Sequence, residues 1–128
     1  MTRRHFSSQP SQRQRRVNEL IRHAMSDIFL RVDITDDALA GVTITATEVE
    51  ASPDLRNARV YVVPLGGSNQ KIIVDALNRH QKFLRGELAR KVELKYTPAL
   101  TFALDTTFDQ SDRVDEILRS RKVAQDLR

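Results

Sequence analysis

Near the start of the chain, apolar residues recur every three or four positions, which is the pattern of an amphipathic helix. Ser11 and Gln14 precede this stripe with the spacing of a capping box, in which two side chains satisfy free amides at a helix start. The sequence therefore predicts a first helix from Ser11 to about Arg31. The stripe consists of Val17, Leu20, Ile21, Ala24 and Ile28.

Two stretches of alternating apolar and polar residues follow the polar loop 33–41 and predict two strands. The alternation begins at Val42 and loses its phase near Glu48, which indicates a β-bulge there. Ser52-Pro53-Asp54 is typical of a turn, because proline fixes the backbone angle that the second turn position needs. The second strand covers 58–62. Together the two strands predict an antiparallel hairpin.

The rest of the chain predicts two helices, a third strand and a short C-terminal helix. Ser68 or Asn69 can cap a helix that carries Ile72, Ile73, Ala76 and Leu77, and the next helix carries Phe83, Leu84, Leu88 and Val92. Strand periodicity returns over 100–104, and a final helix follows Ser111. The predicted fold is α+β, in the order α-β-β-α-α-β, with a three-stranded sheet covered on one face by helices.

Composition favours one globular domain with flexible ends. The 128 residues are 40% hydrophobic and 30% charged, which is near the average of folded domains. We expect a basic tail over residues 1–10, a folded unit over 11–106 and an extension over 107–128. The arginine-bearing, acid-free start is also the pattern of an organelle transit peptide.

Several classes of protein are disfavoured. The chain has no cysteine, which excludes thiol chemistry and fits a reducing cytoplasm, and no apolar run approaches the ~18 residues that span a bilayer. His5, His23 and His80 lack metal-ligand spacing, and Asp36-Asp37 has no visible partner. Phosphate-binding, dinucleotide-binding and serine-nucleophile motifs are missing. We therefore expect no enzyme, no metal and no cofactor.

The strongest chemical feature is a cationic stretch from Leu77 to Lys95, where basic residues lie beside an apolar set at helical spacing. Such a face suits a polyanion, usually nucleic acid, although most charge runs are only solvated helix surface. Tyr61 on the hairpin could stack a base, but packing or plain exposure explains a single tyrosine more simply. The candidate RNA-binding residues are Arg15, Arg16, Arg22, Arg79, His80, Lys82, Arg85, Arg90, Lys91 and Lys95.

The hairpin sequence from Val49 to Val62 resembles the pattern V-x-x-S-x-D-L-x-x-A-x-V-Y-V of the bacterial ribosome-binding factor A family. Three further stretches match that family in the same order. The stretch from Ala76 to Leu88 resembles its central helices, and Lys95 to Phe102 resembles its R-x-x-P-x-L-x-F motif before the last strand. Asp105, Arg113-Val114 and Ile117-Leu118 resemble its tail, and Arg16-Val17 with Ile21 fits its first helix.

This resemblance implies a type-II KH-like domain in a cytoplasmic, monomeric and non-enzymatic assembly factor. Such a factor binds the free small (30S) ribosomal subunit and its RNA, and it promotes late maturation and processing of the 16S rRNA precursor. One alternative is a general single-strand RNA or DNA chaperone without a ribosomal address. Another is a protein-interaction module whose basic face meets an acidic partner.

The chain departs from the family at the junction of the two central helices. The family has Ala-x-Gly there, whereas this chain has His80-Gln81-Lys82, and no G-x-x-G phosphate clamp occurs in the sequence. Non-glycine residues avoid positive φ, so between Asn78 and Lys82 we expect negative φ and either a shallower bend or a bend stabilised through side chains. Nearly continuous helical hydrogen bonding from Ile73 to Val92 would support this expectation. The alternative is a left-handed cap at Asn78.

Overall fold

The predicted element order is confirmed by a computed structural model, which describes residues 9–66 and 69–107. The predicted C-terminal helix after Ser111 and most of the basic tail lie outside these residues. The helices are α1, Gln12–Arg31; α2, Gln70–Arg79; and α3, Gln81–Lys91. The strands are β1, Thr43–Ala51; β2, Asn57–Leu65; and β3, Ala99–Leu104, and a 3₁₀ turn covers Asp37–Leu39. No helix in the described ranges is long and apolar enough to cross a bilayer.

The capping box at the start of α1 is confirmed, and it also joins the helix to the sheet. The Gln14 amide N–H donates to Ser11 Oγ at 3.1 Å, and the Ser11 N–H donates to Gln14 Oε1 at 2.8 Å. Gln14 Nε2 donates to the Ala51 carbonyl at 3.0 Å, and Asn18 Oδ1 accepts from the Ala51 N–H at 2.8 Å. Both backbone groups of Ala51 are thus satisfied by α1, which fixes the helix against the end of β1.

The sheet has the order β1-β2-β3 and is mixed. β1 pairs antiparallel with β2, and the register shifts between Ala46 and Glu48, which confirms the predicted bulge. The shift turns Val49 toward the same buried side as Ala46, because an extra residue reverses the alternation of side chains. β3 pairs parallel with β2, with Asn57 opposite Ala99.

The core lies between the three described helices and one face of the sheet. Phe29 of α1 packs against Phe102 of β3, with ring centroids 6.2 Å apart. Tyr61 and Val63 are also buried although they alternate with the core-facing residues of β2, at 2% and 8% exposure. The largest fully buried side chains include Ile21, Met25, Ile28, Val60, Val62, Leu77, Leu84 and Leu88.

Three residues of the predicted apolar sets are instead exposed, and one of them is Leu20 of α1, at 44%. Phe83 is 46% exposed and Ile72 is 51% exposed. Leu84 and Leu88 occupy the inward positions of α3, and Phe83 precedes Leu84 by one residue, which is about 100° around the helix. The predicted apolar set was therefore too wide for the face that α3 buries.

The junction between α2 and α3 is a bend at His80. His80 has φ −101° and ψ 19°, and its N–H is shared between the carbonyls of Ala76 and Leu77. The expectation of negative φ through Lys82 is confirmed. Among the residues that the structure describes, Leu55 is the only non-glycine residue with positive φ, and it lies far from the bend in sequence. The expected bend is present and is confined to His80, because α2 ends at Arg79 and α3 begins at Gln81, so helical hydrogen bonding is interrupted there.

Candidate nucleic-acid interface

Three of the predicted cations, Lys82, Arg85 and Lys95, come together along one shallow groove. Lys82 and Arg85 lie on α3, and Lys95 lies on the connection between α3 and β3. We call this feature the cationic groove; its volume is about 510 Å³, and its lining residues are Lys82, Arg85, Gly86, Ala89, Lys95, Tyr96 and Thr97. Gly86 and Ala89 present little or no side chain, so the backbone of an extended nucleic-acid strand can approach α3 closely between the cations.

Arg85 fixes one wall of the cationic groove. Its Nε and one terminal nitrogen donate to the Thr97 carbonyl at 3.1 and 2.7 Å. Because both bonds go to one carbonyl, the connection after α3 is held against the helix and the guanidinium keeps an exposed edge. The Lys82 side chain makes no hydrogen bond or ion pair with the residues that the structure describes. A phosphate could therefore contact Lys82 without breaking an existing pair.

The β1–β2 turn brings a fourth cation, Arg56, to the same site. The Ala99 N–H donates to the Arg56 carbonyl at 2.9 Å, so the turn abuts the start of β3. Within the turn, Asp54 Oδ1 accepts from Ser52 Oγ at 2.7 Å and from the Arg56 N–H at 3.1 Å. These bonds, the Ser52 hydroxyl first, lower the pKa of Asp54. The turn is thus kept in one shape by its own polar side chains.

Arg56 and Lys95 both lie over the ring of Tyr96. The Arg56 Cζ atom is 5.1 Å from the ring centroid, and Lys95 Nζ is 5.7 Å from it. Both distances are within the range of cation–π attraction. The Tyr96 ring is thus an exposed aromatic surface close to two cations and beside the cationic groove.

Arg79 and His80 are held by an acidic residue outside the cationic stretch. Arg79 donates to Asp36 Oδ2 at 3.0 Å, and His80 Nε2 lies 2.9 Å from the same oxygen. The pKa of Asp36 is lowered to about 2, first by the Ala38 N–H and then by His80 and Arg79. Asp36 therefore has partners that the sequence did not reveal, and it joins the loop after α1 to the α2–α3 bend.

The remaining predicted residues do not line the cationic groove. Lys91 pairs with Asp27 of α1 and lowers the pKa of that carboxyl, with Arg31 as the second cause. Arg90 pairs with Glu87 on α3, and Arg22 pairs with Glu19 on α1. Arg15 lines a separate recess between α1 and β1 with Arg22, and Arg16 is exposed on α1.

A second recess has the wrong charge for a phosphate ligand. It lies between the end of α1 and the start of β1, and its lining includes Asp33, Asp36 and Asp37. The Arg31 guanidinium in its lining is paired with Asp27 at 2.6 Å. Within residues 9–66 and 69–107, no three histidine or acidic side chains converge as a metal site requires. The cationic groove is therefore the better candidate for a polyanion.

Sequence reasoning missed Arg56 and Tyr96 as site residues. Arg56 lies about 40 positions before Tyr96, so no local spacing connects them; the parallel pairing of β2 with β3 does. The tyrosine that the sequence did single out, Tyr61, is buried and offers no ring to a base. The aromatic composition could have drawn attention to Tyr96, because the chain has only two tyrosines and no tryptophan.

Comparisons with known proteins agree with this fold. The chain is 49% identical to ribosome-binding factor A of Methylorubrum extorquens over 99% of its own length and 88% of that protein. It is 52% identical to the Phenylobacterium zucineum protein, over 92% and 81% of the two chains. The crystal structure of ribosome-binding factor A from Thermus thermophilus is similar with a TM-score of 0.59 at 23% identity, over 71% of this chain and 94% of that one.

A second structural relative is a homology model of the Thermus thermophilus factor fitted into a cryo-EM map of its 30S complex. It aligns with a TM-score of 0.54 at 24% identity, over 67% of this chain and 88% of that one. The family model for ribosome-binding factor A matches residues 13–118, which include every described helix and strand except the first residue of α1. Taken with the near-full-length identity to curated relatives, this match shows that the chain belongs to the ribosome-binding factor A family.

Proposed function

We propose that the protein is a non-catalytic, cytoplasmic assembly factor that binds the free small ribosomal subunit and its RNA. In this role it promotes late maturation of the subunit and processing of the 16S rRNA precursor. The observation that carries the proposal is the convergence of Lys82, Arg85 and Lys95 on one groove. Family membership supports it, as does the 30S complex into which the Thermus thermophilus relative has been fitted.

Binding would combine phosphate neutralisation with recognition of shape. Each cation that meets a phosphate releases a condensed counterion, which favours association at low salt. Phosphate contacts position a protein without reading sequence, so the shape of the groove and of the neighbouring turn would decide where it sits. The glycine clamp of ordinary KH domains is missing, so Lys82 on α3 would replace backbone amides as a phosphate contact.

We divide the ten candidate residues into three groups for this role. Lys82, Arg85 and Lys95 line the cationic groove, and we assign them the direct contacts. Arg79, His80 and Lys91 are bound to Asp36 or Asp27, and we assign them to holding the loop after α1, the bend and α3 in place. Arg15, Arg16, Arg22 and Arg90 would extend the positive potential around the groove. We propose residues 11–106 as the RNA-binding unit, between a basic tail and a C-terminal extension.

The second candidate function is a general single-strand RNA or DNA chaperone. The same groove would serve it, because phosphate contacts do not depend on a ribosomal address. The two functions differ in where the protein is found in a cell. An assembly factor associates with free small subunits and little with translating ribosomes, whereas a general chaperone distributes over many RNAs.

Sucrose-gradient fractionation of a lysate tests the proposal. We expect the parent protein to co-migrate with free small subunits, and the double variant Lys82→Glu/Lys95→Glu to move to the top of the gradient. The matched control is Lys71→Glu/Arg31→Glu, which changes net charge equally at residues outside the cationic groove. Parent protein spread over all RNA-containing fractions would favour the chaperone. Equal loss of binding in both variants would contradict the groove assignment.

A further inference from the structure

Tyr96 is an exposed aromatic ring that lies beside the cationic groove and carries two cations over it. It is 53% exposed, whereas the other tyrosine, Tyr61, is 2% exposed. Exposed aromatic rings beside cations are typical of surfaces that bind single-stranded nucleic acid, because every base has a flat face that can stack. The site therefore suits a ligand that has both a flat ring and a negative charge.

The surroundings of Tyr96 supply both requirements. Arg56 and Lys95 lie 5.1 and 5.7 Å from its ring centroid, and Lys82 and Arg85 line the same groove. The Arg56 guanidinium is planar and can itself stack against a base. Lys95 is a flexible, exposed ammonium that a phosphate can draw away from the ring. A nucleotide thus finds a stacking surface and phosphate partners within one site.

We propose that Tyr96 and Arg56 form a stacking subsite for one unpaired base of single-stranded RNA, whose phosphates lie along Lys82, Arg85 and Lys95. The subsite rests on the proposed RNA-binding function and refines it, because it selects single strands over duplexes. A base inside an A-form duplex is covered on both faces by its neighbours, so it cannot stack on a side chain. Duplex RNA would meet only the cations.

The composition of the chain permits a direct measurement of stacking. It contains no tryptophan and two tyrosines, so Tyr61→Phe leaves Tyr96 as the only tyrosine. In this background, the tyrosine fluorescence reports whether a base reaches the ring. The probes are a short oligouridine, an abasic ribose-phosphate strand of equal length and an RNA duplex. We expect the oligouridine to quench the fluorescence, whereas the abasic strand and the duplex bind through charge without quenching.

Affinity measurements with Tyr96 variants complete the test. We expect Tyr96→Ala to weaken oligouridine binding about tenfold or more, and to leave abasic-strand binding within about twofold of the parent. Tyr96→Phe keeps an aromatic ring, so we expect it to bind both strands like the parent. Circular dichroism confirms folding of each variant. Oligouridine that fails to bind or to quench, or a Tyr96→Ala variant that binds it as well as the parent, would overturn the subsite. Those results are independent of the gradient experiment, so subunit association without quenching would leave the proposed function intact.

Discussion

Asn78 shows how one side chain can join a helix to the edge of a sheet. Its Nδ2 donates to the Phe102 carbonyl at 3.0 Å, and its Oδ1 accepts from the Phe102 N–H at 2.8 Å. β3 is an edge strand in the part of the chain that the structure describes, so no described strand pairs with these backbone groups on that side. The amide of Asn78 pairs with both of them. A left-handed cap at this residue, the alternative raised by the sequence, is therefore replaced by a tertiary contact.

Replacing Asn78 with alanine should lower the free energy of unfolding by roughly 2 kcal/mol, because two hydrogen bonds are lost and two half-buried backbone groups are left unpaired. Urea unfolding followed by circular dichroism measures this change, and the dependence on urea concentration should stay the same. Asn57→Ala is the control, since Asn57 is exposed and should change stability by less than about 0.5 kcal/mol. Equal stabilities for the two variants would contradict the role assigned to Asn78.

At the scale of elements, the sequence predicted those features that contacts between neighbouring residues determine. The capping box at Ser11 gave the start of α1, and the phase slip at Glu48 gave the bulge in β1. The bend at His80 was placed correctly, but its form depends on Asp36, which lies 44 residues earlier. A partner so distant leaves no trace in hydrophobic periodicity. This explains why Asp36 looked unpartnered in the sequence and why the sequence left two forms of the bend open.

The link between Asp36 and the bend should make stability depend on pH. The pKa of Asp36 is about 2 in the folded protein, below its ordinary value of 3.8. The unfolded chain therefore binds the proton more readily, so the stabilisation is present above about pH 4 and is lost as the pH falls toward 2. We expect Asp36→Asn to melt below the parent at pH 6, and this difference to shrink between pH 4 and 2.

Asparagine at position 36 can still accept the Ala38 N–H, so this variant removes the charge while keeping the turn. Asp33→Asn removes the same charge from an exposed position of the same loop and serves as the control. Melting curves for the three proteins from pH 2 to 7 provide the measurement. A constant difference between Asp36→Asn and the parent across that range would show that the charge of Asp36, and so its contacts with Arg79 and His80, does not stabilise the fold.

For the whole molecule, topology assembles a site that spacing along the chain conceals. The cationic stretch was visible in the sequence, and three of its members do line one groove. Other cations of the stretch hold elements of the fold together, as Lys91 of α3 does by pairing with Asp27 of α1. Arg56 joins the site because the start of β3 pairs with the start of β2. The sequence could predict a basic surface, but the distinction between structural and available cations required the fold.

The salt dependence of RNA binding should report how many cations of the cationic groove contact phosphates. The net charge of +4 attracts any polyanion, but only cations that contact phosphates release counterions and set the slope of log affinity against log salt. Each contact with a single strand contributes about 0.7 to that slope. We expect Lys82→Gln/Lys95→Gln to flatten the slope for oligouridine by about 1.4, measured by titration at several salt concentrations. Lys71→Gln/Arg31→Gln lowers the net charge equally and should leave the slope unchanged. If both double variants flatten it alike, binding follows the overall charge and the groove is not the path of the phosphates.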